Sequence, residues 1–200
     1  MKNEDSASLG DGHKFDLKSE FKASWKATND PFVVVDLEVT GLDNQTDEIL
    51  EFSAILAAPS GAIVSEFSAL VRVTQPMSHH MQKLIGITED EIERNGRPLP
   101  EVMKAFLAFV GSRPVFIHNA PFDNAFLIKA GQLTHQPFDN DVHDTLEISR
   151  RTWPTLRSHS LRALTEHLKL AKTGERCLDD AKNILIILLA AREKALSEAI

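Results

Sequence analysis

The sequence predicts an α/β or α+β layered domain, with strands first and helices alternating after them, and three observations carry that expectation. Phe32-Val33-Val34-Val35 is a run of four apolar residues, three of them β-branched, which reads as a buried strand. Two further strand-like stretches, Ile49 to Ala58 and Ile63 to Val73, follow with only short turns between them, the pattern of an antiparallel start. From Ser78 onward helix-period segments take over and bracket one short apolar run, Val115-Phe116-Ile117. At 200 residues the chain can bury a sizeable core, and 42% hydrophobic with 26% charged residues is ordinary globular composition.

Taken in order, residues 1–12 are small, polar and acidic and read as a flexible tail. From Lys14 to Lys26 a helical pattern carries two stripes: Leu17, Phe21 and Trp25 on one, Lys14, Lys18, Lys22 and Lys26 on the other. Such a helix serves either as a basic arm for phosphate or an acidic partner, or as a segment docked by its aromatic side with lysines in solvent. Asn29-Asp30-Pro31 breaks it, which sets a leader at 1–30 and a domain at 31–200.

Asp43 to Asp47 is a polar turn after the first strand, and Pro59-Ser60-Gly61 is a hairpin turn between the second and third. Short helices are expected around His79–Ile85 and Thr88–Arg94. Pro100 to Val110 places Val102, Phe106 and Phe109 on one face, a core-facing helix opened by proline and closed by Gly111. A helix should follow the Val115 strand and run to Lys129, and Leu133 to Val142 is expected to include one more strand. Helices at Thr145–Arg151, Leu161–Leu168 and Leu178–Leu196 complete the chain.

Several function classes are disfavoured. A single cysteine, Cys177, allows neither a disulfide framework nor a cysteine-built zinc site and fits a reducing compartment. The first 30 residues are studded with charge, unlike a signal peptide, and the longest apolar run, Ile184 to Ala191, is too short to span a bilayer. A soluble, cytoplasmic protein is expected. The net charge of −7 opposes broad coating of nucleic acid, though not a small acidic pocket that grips one strand end through bound metal.

The chemistry-bearing residues begin at the end of the first strand. Asp36 and Glu38 are two positions apart, and side chains two apart on a strand project to the same side. Two carboxylates at the rim of an apolar strand repel each other unless something positive joins them, and hard divalent cations prefer carboxylate oxygens. The alternative is that both acids face solvent in a strand-to-loop turn. Asp123 sits just past the Val115 strand in the first turn of a helix, and Asp179-Asp180 open the last helix. Alone, each reads as a helix-start acid that suits the dipole or caps the turn.

Together these segments resemble the DnaQ-like 3′–5′ exonucleases of the DEDD superfamily, of the polymerase proofreading-subunit and RNase T type. The first motif is Phe32-Val33-Val34-Val35-Asp36-Leu37-Glu38-Val39-Thr40-Gly41, the second His118-Asn119-Ala120-Pro121-Phe122-Asp123-Asn124-Ala125-Phe126-Leu127, the third Leu178-Asp179-Asp180-Ala181. The resemblance covers about residues 32–195. It implies an RNase H-like mixed sheet, three antiparallel strands then parallel ones, flanked by helices. It also implies two divalent cations, Mg²⁺ or Mn²⁺, held by Asp36, Glu38, Asp123 and Asp180. Phe122 would then stack a terminal base, His118 or Asn119 would position sugar or phosphate, and the backbone at Val39, Thr40 and Gly41 would approach the last nucleotide. The implied partners are a single-stranded or frayed nucleic acid 3′ end, with a polymerase or a second copy of the chain as further candidates.

Two departures stand out. Val39 occupies a position where the proofreading family usually has threonine. More consequentially, the general-base histidine of the family stands five positions before the last acid, and here that position is Glu175. The sister branch would place tyrosine at Arg176, and the chain contains no tyrosine. His159 and His167 are nearest in sequence but lack the family spacing. Glutamate has a reference pKa of about 4.3 against about 6.5 for histidine, so Glu175 would be a poor base, a ligand or a bystander. Two functions follow: a metal-dependent 3′–5′ exonuclease on DNA or RNA ends, or a degenerate, weakly active or inactive module that binds nucleic acid ends or a protein partner.

Overall fold

The first strand, β1 (Phe32–Val39), is flanked on both sides, with Phe32 to Val35 fully buried, which is why its sequence is continuously apolar rather than alternating. The structure is a computed structural model that describes residues 28–75, 77, 82, 83, 85–170 and 176–197. The Lys14–Lys26 helix and most of the expected His79–Ile85 helix lie outside the described residues.

β2 (Ile49–Ala57) and β3 (Ile63–Leu70) join β1 antiparallel, while β4 (Val115–Ile117) and β5 (Val142–Asp144) continue the sheet in parallel. The order is β3-β2-β1-β4-β5, the mixed sheet that the sequence implied. Gly61, at φ +87°, makes the β2–β3 turn in a conformation that side chains disfavour. Among the described residues six helices flank the sheet: α1 (Glu89–Asn95), α2 (Leu99–Val110), α3 (Ala120–Thr134), α4 (Thr145–Thr152), α5 (Leu161–His167) and α6 (Cys177–Ser197).

Strand alternation divides the core in two. Val33, Val35 and Leu37 point to one face with Val102, Phe106, Phe126 and Leu127 of α2 and α3. Phe32 and Val34 point to the other with Phe116, Ile148 and the α6 stripe Ala181, Ile184, Leu188 and Ala191. Asp36 and Glu38 continue the second set, so they leave the sheet on the side that α6 covers. A smaller cluster, Leu50, Leu70, Met77, Ile85, Ile87 and Ile92, holds α1 against the sheet edge.

Two elements differ from expectation. β3 ends at Leu70 rather than Val73, because Val71 turns away to form a parallel bridge with Arg97 and the Arg72 amide donates to the Arg97 carbonyl. The expected strand within Leu133–Val142 falls later. α3 runs on to Thr134 and is stopped by His135 in the left-handed conformation, and Pro137 follows, so the strand begins only at Val142. Its central residue, His143, is buried and stacks on Phe116 with ring centroids 4.8 Å apart. Among the described residues no helix is long and apolar enough to cross a membrane.

Candidate active site

The acids converge at one edge of the sheet. β1 and β4 run parallel with Val35 level with Ile117, so Asp36 emerges beside the segment that starts α3. At Glu38 and Val39 the β1–β2 register slips, Glu38 pairing with Glu51 and Val39 with Ile49. Such a bulge adds local twist where the strand leaves the sheet. From the same face the first turn of α6 supplies Cys177 and Asp180. Ligand-type atoms of Asp36, Glu38 and Cys177 lie within 4.8 Å of one another. The Cys177 thiol is buried and donates to Asp36 Oδ2 at 3.3 Å.

Asp123 enters from the first turn of α3, is 5% exposed, and accepts the backbone N–H of Leu37, an amide beyond the end of the β1–β4 ladder. Asn119, immediately before α3, holds φ 64° and ψ 50°, a left-handed conformation that asparagine tolerates. That turn swings the helix so that its first residues face the end of β1.

The electrostatics show how uncomfortable this arrangement is without a cation. Burial, followed by the charges of Asp123, Asp180 and Glu38, pushes the Asp36 carboxyl well above its ordinary value. Glu38 is raised to about 7 by burial, then by Asp180, Glu51 and Asp123. Burial also lifts Asp123 to about 7 and Asp180 upward. The four acids implied by the resemblance therefore crowd one another. Raised carboxyl values are a recurrent feature of working sites. Oxygen donors that repel each other and are only partly hydrogen-bonded fit hard divalent cations.

One cation does approach. Arg176 donates to Glu91 of α1 at 2.7 Å and to both carboxylate oxygens of Glu51 at 3.4 Å, while Ser68 donates to Glu51 at 2.7 Å. Glu51 is 1% exposed, and the guanidinium also draws Glu38 downward. From the sequence Arg176 stood out only as the place where the sister branch has tyrosine, and Glu51 did not stand out. The available signal was a carboxylate inside the apolar run Ile49-Leu50-Glu51-Phe52, which has to find a charged partner.

The other sequence candidates are spread around this edge. Phe122 is half-buried and packs on Phe126, centroids 5.3 Å apart. The Thr40 N–H is committed to the Glu48 carbonyl, and the Thr40 hydroxyl accepts the Glu48 N–H. Val39 packs partly into the core. His118 Nε2–H donates to the His159 carbonyl at 2.9 Å, which leaves Nδ1 to accept the Thr145 hydroxyl at 3.1 Å. His159 thus comes beside His118 through its backbone, and its own ring bonds the Trp153 carbonyl. Asn119 is exposed and uses its backbone amide on Asp144. Glu175, the residue at the general-base position, lies outside the described residues.

Comparison with known proteins agrees with this geometry. The RNase T exonuclease family model matches residues 33–188. The chain is 32% identical over 172 residues to the PolC-type DNA polymerase III of Clostridium perfringens, covering 85% of this chain and 12% of that protein. It is 36% identical over 153 residues to the PolC-type polymerase of Thermotoga maritima, covering 76% of this chain and 11% of that one. The chain thus spans about an eighth or less of the length of these curated relatives. Among solved structures, the nuclease domain of 3′hExo, a DEDDh family member bound to rAMP, superposes with a TM-score of 0.69 at 24% identity, covering 82% of this chain and 91% of that one. Exonuclease I gives a TM-score of 0.73 at 16% identity, covering 83% and 41%. These two show the fold, an RNase H-like exonuclease architecture.

Proposed function

Because the chain belongs to the RNase T exonuclease family, of DnaQ-like DEDD 3′–5′ exonucleases, we propose that it removes nucleotides from the 3′ end of DNA, or of RNA, with two divalent cations, Mg²⁺ or Mn²⁺. The observation that carries this reading is the convergence of Asp36, Glu38, Asp123 and Asp180 at one sheet edge, with carboxyl values pushed upward by burial and mutual repulsion. Those four residues would hold the cations, which when bound supply the charge that activates water and stabilises a leaving oxygen in phosphodiester hydrolysis.

The protein's own groups then have assignable tasks. Cys177 orients one oxygen of Asp36, and the Leu37 amide fixes one of Asp123. Phe122 offers a ring to the terminal base at the mouth of the site. His118, with both ring nitrogens bonded inside the protein, braces the 153–160 loop, and the exposed Asn119 side chain is left to meet sugar or phosphate. Glu175 stands in the general-base position as a weak proton acceptor. By analogy with the PolC-type relatives, association with a polymerase is part of this proposal.

The second reading, an end-binding module with little turnover, is favoured by the absence of histidine at position 175 and of any tyrosine. A degradation assay on 3′-terminated single-stranded DNA and RNA, with manganese or magnesium, separates the two. We expect slow release of mononucleotides that Asp36→Ala abolishes, and a rise of about 10²-fold in Glu175→His, within the range that a matched general base contributes. Thermal melting should rise with millimolar manganese in the wild type and not in Asp36→Ala. A wild-type melt that ignores the metal, with no product from either nucleic acid, would sink the exonuclease reading.

A further inference from the structure

On the β4–β5 side of the acid cluster lies a cleft of the opposite character. Its volume is about 620 Å³, in the range that holds a nucleotide-sized ligand, and its lining includes His118, Asn119, Arg150, Arg157, Ser158 and Ser160. His118 and Asn119 directly follow β4, so the cleft and the acids share one sheet edge.

We propose that this cleft is a phosphodiester subsite that grips the backbone of the strand leading to the 3′ end, upstream of the bond to be cut. The proposal rests on the exonuclease reading and extends it to Arg150, Arg157, Ser158 and Ser160. A chain of net charge −7 gains little from general attraction to nucleic acid, so a local cationic cleft has to supply the contact.

Two guanidiniums face it. Arg157 is exposed and makes no ion pair with any described residue. Arg150 pairs only with Glu147 on its own helix, both side chains being about half exposed at 54% and 46%, so that bond is readily exchanged for a phosphate. Asp144, at the end of β5, is already engaged, its Oδ1 accepting the Asn119 and Leu146 amides at 3.1 and 2.8 Å. The Ser158 hydroxyl donates to Ser160 Oγ at 3.3 Å, which leaves the Ser160 hydroxyl proton as a donor for a phosphate oxygen. His118 is depressed by burial and stays neutral near pH 7, so the cationic character comes from the arginines.

The wall itself is held in shape. His118 Nε2 binds the His159 carbonyl and His159 Nε2 binds the Trp153 carbonyl, which pins the 153–160 loop that carries Arg157. Among the described residues no phenylalanine or tryptophan lines the cleft, which suits a site that reads backbone charge without sequence preference.

The test measures binding of 5′-fluorescein-labelled decathymidylate by anisotropy across a salt series, with Asp36→Asn added to both proteins compared in this assay to keep the substrate intact. Arg150→Ala/Arg157→Ala, two exposed substitutions that leave the core untouched, should weaken binding about 10-fold or more. The slope of log affinity against log salt should shrink by about 1.4, two phosphate contacts at about 0.7 each for single strands. Thymidine 5′-monophosphate, which offers no bond to cut and is measured with manganese without Asp36→Asn, should bind the arginine variant as it binds the wild type. If the mononucleotide weakens as much as the decamer, the cleft seats the terminal nucleotide and the upstream placement is overturned. If affinity and slope do not change while the unsubstituted protein digests DNA, the subsite alone is wrong. If the unsubstituted protein neither binds nor digests any oligonucleotide, the exonuclease reading fails and the subsite with it.

Discussion

Glu38 and Asp123 give the site a measurable signature before any cation is added. A carboxyl raised in the folded state holds a proton that the unfolded chain has released, so its contribution to stability falls as pH rises between the two values. For Glu38 that window runs from its ordinary 4.5 to about 7, and for Asp123 from 3.8 to about 7. His118 and His143 act in the opposite sense, since burial depresses both and the stability they contribute is lost as pH falls through the histidine range. The raw pH profile therefore mixes signs, and a difference isolates the acid. Glu38→Gln mimics the protonated carboxyl, so chelator-treated variant and wild type should melt together near pH 4.5. By pH 7.5 the variant should be ahead by about 1–3 kcal/mol, given about 1.4 kcal/mol per pKa unit discounted for partial exposure. Saturating manganese should erase that advantage at pH 7.5. A gap that is flat or shrinks with pH would mean that Glu38 is well solvated and the crowding is not real.

Helix α6 is the element on which the site depends, and Arg176 is what fixes its start. One guanidinium ties the entry to α6 to the middle of β2 through Glu51 and to α1 through Glu91. Arg176→Gln leaves Glu51 buried with Ser68 as its remaining donor, which should cost about 2–4 kcal/mol, in line with breaking one side of a buried charge pair. Adding Glu51→Gln should restore at least about 1 kcal/mol, a coupling that urea unfolding of the single and double variants reads directly. Strict additivity would show that the two side chains do not act together. The network also marks the limit of what the sequence made legible at this scale. Asp36, Glu38, Asp123 and Asp180 were readable because each sits at a strand end or helix start that the chain announces locally. Arg176 to Glu51 is a contact 125 residues apart in sequence, and nothing local specifies it. Cys177 was read only as a free thiol, since its place beneath Asp36 follows from how α6 crosses β1.

At the scale of the whole molecule, burial on both faces forces the continuous apolar runs that made β1, β2 and β4 legible, while the largely exposed β3 was read from the hairpin turn before it and ends three residues early. β5 was misplaced because it has three residues, one of them a histidine whose burial depends on stacking against Phe116 of the neighbouring strand. The cationic cleft was invisible for a related reason, being assembled from the α4 face, the loop before α5 and the end of β4. The N-terminal boundary is where sequence and structure together make a sharper prediction than either alone. The leader was expected to end near residue 30, and Thr28, just before that boundary, is only 1% exposed. Removing residues 1–27 should leave the melting temperature of the remainder within a few degrees and the hydrolysis rate per folded molecule unchanged. Removing residues 1–31 takes away Thr28 and the Pro31 that leads into β1, and should lower stability measurably. The outcome that would revise this is a 1–27 deletion that folds and melts normally but loses oligonucleotide affinity. The stripe of Lys14, Lys18, Lys22 and Lys26 would then be a phosphate-binding arm, and the cleft at Arg150 and Arg157 would share the strand with it.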